Sequence, residues 1–171
     1  MNQDARPSAP FNSSSSGETP LVVGLDLGGT KMAAALVDAD GVLRGSVASC
    51  STPAHDGPAA MLDSISALVQ QVVTSGTREA PGLPVSIAAV GIGTAGVVDV
   101  EGGMILSATD AITGWAGTRI VAGVQERLAV AGLGVLPVHV ENDVDAYAAG
   151  EAWLGAGAGR WRGSRHRGQN S

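Results

Sequence analysis

A chain of 171 residues has room for about one domain, and its 44% hydrophobic content is enough to bury a core. Aromatic residues are only 3% of the total, so that core has to be built from Val, Leu, Ile and Ala. A formal net charge of -6 argues against a general nucleic-acid surface, and the single cysteine, Cys50, excludes an intramolecular disulfide and a multi-cysteine zinc site.

Residues 1–19 are polar and rich in Ser and Pro, too poor in apolar side chains to order themselves. They contain no apolar stretch of signal-peptide length, and no run in the chain approaches the ~18 apolar residues of a membrane span. A cytoplasmic location without membrane partners is the expectation. The run 21–27 (LVVGLDL) reads as a buried strand that ends at Gly28-Gly29. A second strand follows over 32–38, and Asp40-Gly41 is a strong hairpin signal before a third over 42–52. Pro58 then opens a helix whose apolar residues Met61, Leu62, Ile65, Leu68, Val69, Val72 and Val73 recur at three- and four-residue spacing, with Gly76 as its expected stop.

The apolar run 85–93 suits a strand in a buried parallel position. A short hairpin is expected around Gly102-Gly103, a helix over 118–131, a fifth sheet strand over 135–142 and a further helix from Asp143. Strand, strand, strand, helix, strand, helix, strand, helix is the order of an α/β domain with a mixed five-stranded sheet and flanking helices. The last segment, 160–171, breaks this pattern. It carries Arg160, Arg162, Arg165 and Arg167, four of the ten Lys and Arg residues, and has no apolar periodicity. It reads either as a basic tail in solvent or as an out-of-frame end. The second reading is preferred, because the break falls where a new strand is due.

Two segments carry chemistry. In Asp26-Leu27-Gly28-Gly29-Thr30-Lys31 a strand delivers an acid to its carboxyl end, and two glycines then let the backbone turn and offer N–H groups to phosphate oxygens. Thr30 adds a hydroxyl, and Lys31, the chain's only lysine, a point charge. A plain Gly-Gly hairpin would explain the turn but not the flanking acid and Thr-Lys pair. The stretch from Gly24 is not a P-loop: the order is Thr-Lys, and a strand follows where a helix is needed. Gly91-Ile-Gly93-Thr-Ala-Gly96 matches a dinucleotide fingerprint in letters only, because strand and turn follow it rather than a helix. The second segment, Glu141-Asn142-Asp143, ends a buried strand at the start of a helix, where ligands bind in α/β sheets. Asn142 can donate to and accept from a hydroxyl, and Asp143 can take a proton from a hydroxyl attacking phosphorus. Helix capping is the competing reading of both. His139, which alternates with apolar neighbours, reads as a core residue, and Trp115 as packing beneath its preceding loop.

Together, LDLGGTK (25–31), GIGTAGVVD (91–99), ATDAITGWAGT (108–118) and VENDVDAYAAGE (140–151) resemble the ROK family of repressors, open reading frames and sugar kinases, over residues 20–159. The resemblance implies the amino-terminal, RNase H-like lobe of an actin-like ATPase fold, with ATP and sugar in the cleft between two lobes. It implies a phosphate loop of Asp26, Gly28, Gly29, Thr30 and Lys31, with Asp26 also orienting magnesium. It implies Asp143 as catalytic base and, with Gly96 and Asn142, as part of the sugar site. The family's usual Pro-Gly is here Ala95-Gly96, and its usual Asn before the Trp is Ala111, beside Asp110. The second phosphate loop, the adenosine site and the Cys-rich zinc segment have no counterpart in this sequence. The resulting expectation is a truncated ATP- and Mg-dependent hexose kinase, acting on glucose or an N-acetylhexosamine, inactive alone and an oligomer in its full-length form. The alternatives are a sugar-sensing transcriptional regulator of the same family and a non-functional fragment.

Overall fold

The computed structural model describes residues 19–79, 85–107 and 112–146. The strands are β1 (Thr19–Leu27), β2 (Lys31–Val37), β3 (Leu43–Ser51), β4 (Val85–Thr94), β5 (Val97–Asp99), β6 (Met104–Ser107) and β7 (Val138–Asn142). The helices are α1 (Gly57–Glu79) and α2 (Ile120–Val130). Residues 143–146 open a further helical turn. The expected disordered lead-in and basic tail lie outside the described residues, apart from Thr19.

One five-stranded sheet has the order β3-β2-β1-β4-β7. β1 pairs antiparallel with β2, and β2 with β3; β1, β4 and β7 run parallel. This is the mixed sheet expected from the sequence. The hairpin around Gly102-Gly103 is present as the separate pair β5 and β6. Alternation in the strands fixes the two faces. Val23, Leu25 and Leu27 of β1, Met32, Ala34 and Leu36 of β2, Val90 and Ile92 of β4, and Val138 and Val140 of β7 are all buried on one face. They meet the apolar stripe of α1, every predicted member of which is buried, together with Ile120, Val124 and Leu128 of α2. Burying a side chain of this size is worth about 1.5–3 kcal/mol, so this face is the main stabilising layer. Trp115 is also buried in that core. Among the described residues, no helix is long and apolar enough to cross a membrane.

The opposite face carries small residues. In register, Gly24, Gly91 and His139 form one row across β1, β4 and β7, and Asp26, Gly93 and Glu141 form the next. Ala33 and Ala35 extend these rows onto β2. His139 is therefore exposed on the open face rather than part of the core. Val138 and Val140 of β7 pack into the helix-covered core, so alternation turns His139 and Glu141 to the opposite face. Gly76 also departs from expectation. It lies inside α1, buried, and a Cβ there would come within 2.2 Å of Leu36 Cδ1. It is a glycine of close packing between α1 and β2, and the helix runs on to Glu79.

Candidate active site at the carboxyl ends of the parallel strands

The parallel strands end level with one another: Leu27 pairs with Thr94, and Thr94 with Asn142. Level ends gather three connecting segments at one edge of the sheet. β1 leads into the Gly28–Thr30 turn, β4 into the Gly96 turn, and β7 into Asp143. A cleft of about 570 Å³ opens over the small-residue face beside this edge, within the size range of ligand sites. Its lining includes Asp26, Ala33, Gly91, Gly93, His139, Glu141 and Asp143. Gly93 separates Asp26 from Glu141, which stand two strands apart, at about 10 Å by ordinary strand spacing.

The first turn works differently from the expected anion nest. Neither Gly28 nor Gly29 has positive φ. Gly28 is required for a close approach, because a Cβ would lie 2.8 Å from the Lys31 carbonyl oxygen. Its N–H donates to that same oxygen at 3.1 Å and is engaged within the turn. The N–H groups of Gly29 and Thr30 have no partner among the described residues, so a phosphate would meet those two. The turn is buttressed by Thr52, whose Oγ1 donates to Gly28 O at 2.7 Å and whose N–H donates to Thr30 O at 3.0 Å. Thr30 and Lys31 are exposed. Thr52 escaped the sequence reading because it stands 24 residues from Gly28, and only the β2–β3 pairing brings it back.

At the other strand ends, Asn142 Nδ2 donates to Gly96 O at 2.6 Å, and Asn142 Oδ1 accepts the Val144 N–H at 3.0 Å. Gly96 has φ +107°, a conformation that favours glycine. Asp143 Oδ1 accepts the same Val144 N–H at 2.9 Å. The capping reading is thus realised, and it uses one oxygen of each side chain. Asp143 Oδ2 has no partner among the described residues, and the residue is exposed. Asp26, also exposed at the mouth of the cleft, accepts no hydrogen bond from the described residues. A single open carboxylate fits Mg2+, which keeps several waters and takes one or two carboxylates beside substrate phosphates. The expected sugar-side positions Asp110 and Ala111 lie outside the described residues.

The sequence matches the ROK family over residues 22–161. The chain belongs to the ROK family. The glucokinase of Streptomyces coelicolor is 34% identical over 139 residues, covering 81% of this chain and 38% of that protein. Among solved structures, the ROK hexokinase from Thermus thermophilus superposes with a TM-score of 0.64 at 32% identity, over 81% of this chain and 40% of the other. A ROK glucokinase from Streptomyces griseus, in complex with glucose and AMPPNP, gives 0.59 at 34% identity, over 80% and 38%. The chain therefore spans about two fifths of the length of these ROK relatives, and its five-stranded sheet is that of their actin-like kinase fold.

Proposed function

We propose that this chain forms the amino-terminal lobe of a ROK sugar kinase, one that transfers the γ-phosphoryl group of ATP to a hydroxyl of a hexose such as glucose. The observation that carries the reading is the state of Asp143. One oxygen accepts the Val144 N–H, and the other, at the rim of a cleft that also holds Asp26, has no partner among the described residues. A carboxylate so fixed can accept the proton of a sugar hydroxyl as its oxygen bonds to phosphorus and the bond to the ADP oxygen breaks. Asn142 keeps one N–H and one lone pair beyond its internal bonds, enough to grip a neighbouring hydroxyl. Gly29 and Thr30 offer N–H groups to phosphate oxygens, with Lys31 adding positive charge beside them. Asp26 is the residue that would hold Mg2+, which when bound with ATP neutralises charge on the phosphates.

Phosphoryl transfer draws charge stabilisation from both sides of the phosphates, and the described residues supply one side. Negligible glucose-dependent ADP formation is therefore expected from the 171-residue chain alone. The decisive assay uses a chimera in which residues 22–146 replace the matching segment of the Streptomyces coelicolor glucokinase. It is expected to phosphorylate glucose, and Asp143→Asn is expected to lower kcat by about 10²–10⁴-fold, the usual worth of a positioned base. Undiminished turnover in that variant would remove Asp143 from the role. Glucose binding without any turnover in the parent chimera would favour the sugar-sensing regulator instead.

A further inference from the structure

We infer that Asn142 is a positioning residue: its amide latches the Gly96 turn to the end of β7 and so builds the sugar-side wall of the cleft before a ligand arrives. The proposal deepens the kinase reading, and its link to sugar rests on that reading. Three observations carry it. The 2.6 Å bond from Asn142 Nδ2 to Gly96 O reaches two residues past Thr94, the last residue of β4 paired with β7, so it ties down the turn beyond the ladder. The acceptor belongs to a residue at φ +107°, so the bond fixes a turn whose backbone would otherwise have glycine's full freedom. The other end of the same amide is fixed as well, because Oδ1 accepts the Val144 N–H at 3.0 Å. An amide held at both ends has one orientation. It therefore presents its remaining N–H and lone pair in a set direction, next to Asp143, which shares that Val144 N–H.

The latch and the helix cap are separable by chemistry. Asn142→Asp keeps an oxygen for the Val144 N–H but loses the N–H that Gly96 O accepts, and sets a carboxylate against that carbonyl. Asn142→Ala loses both. If Asn142 were only a cap, the Asp variant would behave like the parent chain. The test is amide hydrogen exchange by NMR on the 15N-labelled 171-residue chain and both variants. Exchange at Val97, which pairs with Ser107 just beyond the turn, is expected to quicken about tenfold or more in both variants, with Val23 and Ala34 in the sheet unchanged as the control for folding. In the parent chain, one Asn142 side-chain proton is expected to resonate downfield and exchange slowly. Val97 exchange in Asn142→Asp equal to that of the parent overturns the latch, and the Asp variant decides even where the Ala variant fails to fold. Titration of D-glucose into the parent chain is read separately at Gly96 and the Asn142 side chain. A silent titration beside quickened exchange supports the latch and counts against the sugar reading alone.

Discussion

Asp38 anchors the β2–β3 turn. It is 5% exposed, yet its carboxylate accepts the N–H groups of Asp40 and Val42 and the Nε–H of Arg44. The sequence marks this turn by Asp40-Gly41, and Gly41 does take positive φ, 77°. The residue that holds the turn closed is nevertheless Asp38, which reads in the sequence as the last residue of a strand. The Val42 N–H does most to hold its carboxyl below the usual carboxylate range; the side chain of Arg44 and the N–H of Asp40 add to this, while burial opposes it. A carboxylate whose pKa is depressed by folding contributes stability above its unfolded pKa and loses it as pH falls through the folded value. Asp38→Asn is therefore expected to lower Tm at pH 7. It should also flatten the fall of Tm between about pH 5 and pH 2, where acid-linked losses of this kind occur. Parallel Tm-against-pH curves for the two proteins would assign the acid sensitivity elsewhere.

At the scale of elements, the contact of α1 with β2 shows how a residue type can mislead. Gly76 occupies a position where helices stop, but its missing side chain makes room for Leu36, which is 1% exposed. Gly76→Ala gains about 0.8–1 kcal/mol of helix propensity and loses about 1–3 kcal/mol to overpacking. A net destabilisation of about 1 kcal/mol is expected. In a Leu36→Ala background the sign should reverse, because the obstructing Cδ1 is gone. A double-mutant cycle by urea unfolding measures this directly, and additive effects would show that the two residues do not compete for space. Ile65, fully buried in the middle of α1, was legible from its spacing alone. Ile65→Ala is expected to cost about 2–5 kcal/mol, and a loss under about 1 kcal/mol would mean that α1 contributes little to the core.

On the scale of the whole molecule, a chain of net charge -6 places Asp26, Glu141 and Asp143 around one cleft. Nucleotide phosphates approaching this mouth need their charge screened. In the chimeric kinase, Asp26→Asn is expected to raise the Mg2+ concentration for half-maximal rate about tenfold or more, since Mg2+ is held by few protein oxygens. KM for glucose should change less than about twofold, if Asp26 serves the phosphates as the kinase reading proposes. A matching rise in KM for glucose would place Asp26 on the sugar side.

Periodicity and turn residues were sufficient to determine the strand and helix order and the inward face of α1, because those depend on local propensity and alternation; the short hairpin and long helical connections then implied a mixed sheet. The placement of the two glycine- and acid-bearing segments at strand ends was legible too, and the parallel pairing brings both to one edge of the sheet. Tertiary structure decided what needs two distant segments at once. Thr52 props the first turn from 24 residues away, and Asn142 ties down Gly96 across 46. His139 faces the cleft because β7 packs Val138 and Val140 against the helix layer, and alternation turns His139 the other way. The same reason governs all three: a hydrogen bond or an exposed face between distant segments depends on strand order, and the sequence of one strand carries no record of its neighbours.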